Sequence, residues 1–399
     1  MTVKGPASRG LRVLKIAACP FPWPRGTPIR IRRLAESLSR AGHTVHVATY
    51  HLGQRNEPLP GVRVHRIADV PGYSHTGPGP TAGKLFRLDP RLRRLTARLV
   101  RAYPFDIIHA HHYEGLWAAM GARSLPVVYD AHTTLSGELP YYSLPVPRRV
   151  IQAVGRWGDA YLPRKADAVV AVSESIRQQL EGLGAARDIE VIPNGVDWAY
   201  FADLEGPPAS DEVVMFTGNL APYQGVELLL EAFAFVLERR PDARLAIVTD
   251  ASFAPYRPLA ERLGIHGAVD VIRAPFEQQP DLLRRARVTV SPRVECDGIP
   301  QKLLNYMASG TPVVAFEGSA AHVVNGETGR RVPNGDVAAM GTAIADLLGS
   351  PEDAARLGAA ARSEVRASYT WDQMSQRVAG VYERVLAKRE GPAASSSGG

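Results

Sequence analysis

The stretch Glu212–Phe233, EVVMFTGNLAPYQGVELLLEAF, decides how this chain is read. An apolar, β-branched run comes first, then a loop flanked by Gly218 and Gly225, then the opening of an amphipathic helix. Strand, glycine-flanked loop and helix start in succession commonly hold a phosphate, because free backbone N–H groups and the helix dipole converge there. Yet the loop contains neither Lys nor Arg. It is either a phosphate loop whose basic residues have been replaced or an ordinary turn.

The same alternation extends to both sides. Upstream, RVLKIAAC, TVHVATY, VRVHRI, FDIIHA, PVVYDAH, ADAVVAVS and IEVIPNG read as strands, with helical patterns between several of them. The first predicted helix spans about 28–41 and puts Ile31, Leu34, Ala35 and Leu38 on one face. Downstream, VVMFTG, ARLAIVT, AVDVI, ARVTVSP and TPVVAF alternate with helices, and helical patterns over 336–348, 352–368 and 371–388 close the chain. Strands separated by helices predict parallel, doubly wound sheets. DLEGPPASDE (203–212) reads as a linker. The expected division is an α/β domain over 1–205, a second over 206–370, a last helix over 371–388 returning to the first domain, and a disordered tail over 389–399. A cleft is expected between the domains, and ligands in such sheets bind beyond the carboxyl ends of the strands.

Composition narrows the function. Of the 399 residues 45% are hydrophobic and 22% charged, as in globular proteins. Two cysteines, Cys19 and Cys296, exclude a disulfide framework, and neither has zinc-site spacing. No apolar run approaches a membrane span, and VLKIAAC reads as a first buried strand rather than a signal-peptide core. The net charge of +7 suits an anionic substrate or membrane surface. Nucleic acid is not expected, since no zinc-finger spacing or RNP pattern is present.

Chemistry-bearing residues collect at predicted strand ends. CPFPWPRGTPIR (19–30) is a proline-stiffened loop in which Gly26 allows close backbone approach and Pro28 opens a helix. DIIHAHHYEG (106–115) ends a strand, with His111 on the face of His109 and His112 on the other. At least one of His111 and His112 is expected to face the cleft, while His109 fits capping and loop hydrogen bonds. VVYDAHTTLSGELPYY (127–142) places His132 just past a strand, two residues after Asp130. In SPRVECDGIPQKLLNYMASGTPVVAF (291–316), Glu295 and Asp297 precede Gly298, Ile299 and Pro300, which open a helix carrying Lys302 and Asn305. Carboxylates there can bind sugar hydroxyls with charge-assisted strength, or form a solvated acidic loop.

The order of RLAESLSRAGHTVHV, DIIHAHH, VAVSESIRQQL, VIPNGVD, YMASGTPVVA and VVNGETGRRVP resembles that of the retaining, GT-B-fold glycosyltransferases of family 4, over nearly the whole chain. The resemblance implies a GT-B fold: two Rossmann-like, doubly wound parallel-sheet domains facing a central cleft. It implies an acceptor site in the first domain around Gly26, Thr27, His111 and His112. A nucleotide-sugar site in the second would involve Gly218, Asn219, Gln224, Gly225, Arg293, Gly298, Ile299, Pro300, Lys302 and Asn305. His132 matches the family histidine near the transferred sugar, and Asp297 or Glu295 would fill the acidic position that normally contacts that sugar. Asn219 and Gln224 stand where the family usually carries Arg and Lys, and Asn305 stands where it carries Glu. Lys302 and Arg293 are then expected to supply the missing positive charge, and the neutral amides to add weaker N–H donors.

The implied reaction moves a hexosyl group from a nucleoside diphosphate sugar to a hydroxyl of a glycan, lipid-linked or small-molecule acceptor. Configuration is retained and neither metal nor cofactor takes part. The rival reading is a catalytically weakened nucleotide- or glycan-binding partner protein. The basic segment KLFRLDPRLRRLTARLVR (84–101) is either a surface helix on the core or a peripheral contact with anionic lipid. Localisation is expected to be cytoplasmic, in the latter case at the inner face of the membrane.

Overall fold

The computed structural model describes residues 10–23, 26–77, 81–122, 124–141, 147–186, 188–204, 212–296 and 298–390. Asp297, most of the linker (205–211) and the tail beyond 390 lie outside the described residues. The chain forms two compact units, Met1–Pro193 with Trp371–Gly399, and Asn194–Thr370.

The first unit is built on a seven-stranded, wholly parallel sheet in the order β3-β2-β1-β4-β5-β6-β7. Its strands are β1 (Arg12–Ala17), β2 (Thr44–Thr49), β3 (Val62–Arg66), β4 (Ile107–His111), β5 (Val127–Ala131), β6 (Ala168–Ala171) and β7 (Ile189–Val191). The central strands β4 and β5 are buried along their whole length, as expected where helices cover both faces of a parallel sheet. Side chains alternate between two cores. Leu14, Ile16, Ile108, Ala110 and Tyr129 join Leu92, Leu95 and Leu116 on one face. Val13, Ala17, Ile107 and Val128 face the other, where Ile31, Leu34, Ala35 and Leu38 of the helix Gly26–Arg40 meet Trp371, Met374, Val378 and Tyr382 of the helix Trp371–Glu390. The apolar face expected of the first helix is therefore the observed one. Two helices remote in sequence share this layer.

The basic segment enters through a π-type turn, Lys84–Leu88, and continues as the helix Asp89–Ala102. Leu88, Leu92, Leu95 and Leu99 are all buried in the core. These four are occupied by the protein's own interior, whereas Leu85 and Phe86 in the opening turn are exposed.

The second unit holds a six-stranded parallel sheet, order β10-β9-β8-β11-β12-β13, with β8 (Val213–Thr217), β9 (Arg244–Val248), β10 (Val269–Ile272), β11 (Val288–Ser291), β12 (Val313–Phe316) and β13 (Arg330–Val332). The short strand β13 was not foreseen, because GRRVP offers too few apolar residues to show a period. Val214 and Phe216 pack on one face, with the helix Val226–Arg239. Met215 packs on the other, with Leu303, Leu304 and Met307 of the helix Gln301–Ser309. Both sheets reverse their winding beside their first strand, between β1 and β4 and between β8 and β11. Loops at the carboxyl side of these switch points are where ligands enter such sheets.

The C-terminal helix supplies part of the first unit's core, so its truncation is expected to be costly. Met374, fully buried, should lose about 2–5 kcal/mol on replacement by Ala. The exposed Gln376, two residues on and on the other side of the helix, should change by less than about 0.5 kcal/mol. Urea denaturation midpoints of Met374→Ala and Gln376→Ala check this, and equal midpoints would show that the helix is not part of the cooperative unit.

Candidate functional site

At the switch point of the first unit the polar residues of the central strands point to one face. Lys15 is in register with His109, and His111 with Asp130. All four are fully buried, under the helix Gly26–Arg40. Arg30 of that helix closes on Asp130 through two bonds, Nε to Oδ2 at 3.0 Å and Nη2 to Oδ1 at 3.2 Å. Its remaining N–H groups reach the carbonyls of Pro193 and Ile192, each at 2.8 Å. Burial alone would raise the Asp130 carboxyl, but Arg30 first, then the histidines, hold it well below the usual carboxylate range.

Asp130 orders three imidazoles. His109 Nδ1 meets Lys15 Nζ at 2.9 Å and the Tyr382 hydroxyl at 2.6 Å. A donor at Nδ1 leaves the ring proton on Nε2, which faces Asp130 Oδ2 at 3.4 Å. His111 Nδ1 lies 3.2 Å from the same oxygen and 3.1 Å from His132 Nε2. His132 Nδ1 then meets Thr27 Oγ1 at 3.2 Å. Burial lowers all three histidines, His109 to about 3. They are neutral rings at physiological pH, able to donate and accept hydrogen bonds without carrying charge. His109, His111 and Asp130 bring ligand atoms within 4.8 Å of one another. The guanidinium already forked on Asp130 opposes a further cation there, joined by the Lys15 amine on His109, which burial pulls down to about 7 and leaves partly protonated.

Above this layer lies a cavity of about 260 Å³. Gly26, Thr27, His111 and His112, the expected acceptor residues, all line it. His112 does not keep to the opposite face. The strand ends at His111, and a left-handed backbone at His112 (φ 64°) opens the helix His112–Ala119. Its ring thereby stacks on His132, with centroids 5.3 Å apart. His109 likewise departs from its expected capping role and sits within the buried network. Lys84, Glu114 and Glu138 also line the cavity, with Lys84 Nζ 2.8 Å from Glu114 Oε1. These three were not foreseen, since nothing in their local sequence brings them together. Lys15 and Asp130 did leave a signal, a charge inside each of two apolar runs.

In the second unit the loop after β8 turns at Gly218 (φ 128°) and Gly225 (φ 72°). A Cβ at Gly225 would lie 2.1 Å from the Pro292 carbonyl oxygen, so only glycine fits. Asn219 Oδ1 accepts from Ala221 N at 3.1 Å and from Gln224 Nε2 at 3.3 Å, while Asn219 Nδ2 donates to the Tyr223 hydroxyl at 3.2 Å. The amides expected to face a ligand are thus engaged within the loop, because their short reach lets them close it. Lys302 reaches this loop. From the first turn of the helix Gln301–Ser309 its ammonium donates to Gln224 Oε1 at 2.9 Å and lies 3.9 Å from the Phe216 ring centroid. Gly218 faces the same nitrogen. Burial first, then Arg293, pull Lys302 down to about 7.

Arg293 packs over Tyr223 with 5.1 Å to the ring centroid and donates to the Glu295 carbonyl. Glu295 is exposed, whereas Ile299 and Asn305 are buried. Gly298 and Pro300 are half-buried at the helix entrance. Thr217 N donates to the Tyr306 hydroxyl at 2.7 Å, joining the end of β8 to the same helix.

Two family models match the chain, Glycosyltransferase Family 4 over residues 24–199 and Glycosyl transferases group 1 over residues 211–350. A phosphatidyl-myo-inositol mannosyltransferase of Mycolicibacterium smegmatis is 30% identical over 391 residues, covering 92% of each chain. Among solved structures, sucrose-phosphate synthase from Thermosynechococcus elongatus superposes with a TM-score of 0.76 at 22% identity, over 95% of this chain and 100% of that one. An Anabaena protein in complex with UDP and glucose gives 0.71 at 19% identity, over 94% and 99%.

The Lys302 environment predicts a pH dependence of stability. Its folded-state pKa, about 7, lies below that of the unfolded chain. Below pH 7 both states are protonated and the full cost of burying the ammonium applies. As pH rises further the folded state releases its proton first and the cost shrinks. The stability of wild type relative to Lys302→Met should therefore rise between pH 7 and 9 in urea titrations. A constant difference would show that the ammonium is solvated.

Proposed function

The chain belongs to the family 4 glycosyltransferases, and on that premise we propose that it moves a hexosyl group from a nucleoside diphosphate sugar to a hydroxyl of an inositol-bearing, lipid-linked acceptor. Configuration at the anomeric carbon is retained, and the reaction runs at the cytoplasmic face of a membrane. The carrying observation is the Lys302 ammonium bonded to Gln224 beside Gly218. It places a positive charge at the loop whose own side chains have none.

A diphosphate at this loop meets the free N–H groups that open the helix Val226–Arg239. It also supplies the counter-charge that Lys302 lacks in the free site, so donor binding restores the proton to the ammonium. As the glycosidic bond breaks, negative charge grows on the leaving diphosphate, and a fixed cation there favours the transition state. A phosphate oxygen of the leaving group takes the acceptor proton. His132, neutral and oriented through His111 and Thr27, offers a hydrogen bond to a sugar hydroxyl. Glu295, which is exposed, or Asp297 meets the transferred sugar.

The acceptor belongs to the first unit. The cavity combines one ammonium, two carboxylates and two imidazoles in Lys84, Glu114, Glu138, His111 and His112. Such a mixed set fits a polyol better than a multiply charged anion, since carboxylates accept from hydroxyls and repel phosphates. The Mycolicibacterium relative is named for mannose and phosphatidyl-myo-inositol, and the Anabaena protein is bound to UDP and glucose. Both support the reading. No helix among the described residues is long and apolar enough to cross a membrane.

Purified protein given labelled nucleoside diphosphate hexoses and phosphatidylinositol vesicles should form a glycolipid with the donor's anomeric configuration, read by NMR. Absence of both transfer and donor hydrolysis across the donor panel would support the binding-protein alternative. Lys302→Ala should raise donor KM by about ten- to a hundredfold, the worth of a charge-assisted hydrogen bond. Arg293→Ala should raise it less, and unchanged kinetics in both would remove the compensation.

A further inference from the structure

The helix Arg148–Tyr161 carries apolar side chains that the core does not use. Ile151, Gly155, Gly158 and Asp159 face inward. Val150, Val154, Trp157 and Tyr161 are exposed, Trp157 to 64%. At 3.6 residues per turn these four fall within about 60° of arc, a single stripe. The Trp157 and Tyr161 rings stack with centroids 5.2 Å apart, which preorganises a flat aromatic surface. Lys165 sits over the Tyr161 ring at 4.3 Å.

The charge around the stripe is of one sign. Arg148, Arg149, Arg156, Arg164 and Lys165 are all exposed. The one acid between Arg148 and Lys165 is Asp159, which is buried. Its carboxylate takes Leu135 N at 2.7 Å, Ser136 N at 2.8 Å and the Ser136 hydroxyl at 2.6 Å. It is therefore turned inward, and none of Arg148, Arg149 and Arg156 has a carboxylate partner among the described residues.

We infer that this helix docks on the surface of an anionic phospholipid bilayer. An aromatic and aliphatic stripe flanked by uncompensated cations matches an interface with acyl chains below and phosphates at the rim. A second copy of the chain would set the same cations against each other, which the charge pattern opposes. The segment 84–101 fits the role less well, because Leu88, Leu92, Leu95 and Leu99 are buried in the core and, of its large apolar side chains, only Leu85 and Phe86, at its first turn, are exposed. The docking helix is also joined to the acceptor cavity. Asp159 fixes the short helix Leu135–Glu138, whose last residue lines that cavity, and a Cβ at Gly155 would meet Ser136 Cα at 2.7 Å. A lipid headgroup held at this surface lies next to the cavity. That consequence rests on the lipid-acceptor reading; the docking itself does not.

Full-length protein is sedimented with sucrose-loaded vesicles of phosphatidylcholine alone or with phosphatidylglycerol, without donor or acceptor. Binding should require phosphatidylglycerol. Val154→Ser/Trp157→Ser and Arg149→Glu/Arg156→Glu, all surface changes, should each weaken it at least tenfold, whereas Leu85→Ser/Phe86→Ser should leave it within twofold. Transfer to soluble inositol should be unaffected by Val154→Ser/Trp157→Ser, so loss of docking and loss of catalysis are read separately. Absence of wild-type binding to anionic vesicles, full binding by both helix variants, or a dimer in sedimentation velocity that Val154→Ser/Trp157→Ser dissociates would overturn the proposal.

Discussion

The buried pairing of Arg30 with Asp130 is the constraint on which the first unit's site depends. Both side chains are essentially excluded from solvent, where an unpaired charge is not tolerated. The guanidinium is satisfied by the carboxylate and by the Ile192 and Pro193 carbonyls. It thereby fixes the first helix against the strand β5 and the exit from β7 at once. The carboxylate in turn orients a chain of three imidazoles that ends at His132 and Thr27. Removing one partner would strand the other, a loss of about 3–5 kcal/mol in comparable pairs. The rings would lose their orientation with it.

The second unit handles charge differently. Its loop turns on two glycines with positive φ and is closed by neutral amides that bond one another. The cation enters from a separate element, the helix Gln301–Ser309. Lys302 packs on Phe216 and is pulled toward neutrality by burial. A cation in a partly dry site is weakly hydrated and responds strongly to an arriving anion. The absence of Arg and Lys from the loop is thus matched by a lysine placed some eighty residues downstream.

The alternation of apolar runs made the two parallel sheets legible, because strands covered on both faces are apolar throughout and each ends in glycine, proline or polar residues. Helix faces such as Ile31, Leu34 and Leu38 followed from period alone. The loop Gly218–Gly225 and the candidates His111, His112 and His132 stood out by their place at strand ends, whereas Thr27 came from the family resemblance. The buried polar layer was not legible. Lys15, Arg30 and Tyr382 lie far apart in the chain and meet only through strand register and the return of the C-terminal helix. His112 was misplaced because period-two alternation stops where its backbone turns left-handed. The inward turn of Asn219 and Gln224 depends on a hydroxyl and a lysine that no local pattern announces.

On our proposal Lys302 supplies the positive charge that the loop Gly218–Gly225 lacks for holding a diphosphate. Calorimetric titration of a nucleoside diphosphate and of its unphosphorylated nucleoside, into wild type and Lys302→Ala, tests it most directly. The affinity advantage of the diphosphate over the nucleoside should be large in wild type and fall at least tenfold in the variant, with nucleoside binding unchanged. An advantage that survives intact in Lys302→Ala would contradict the account.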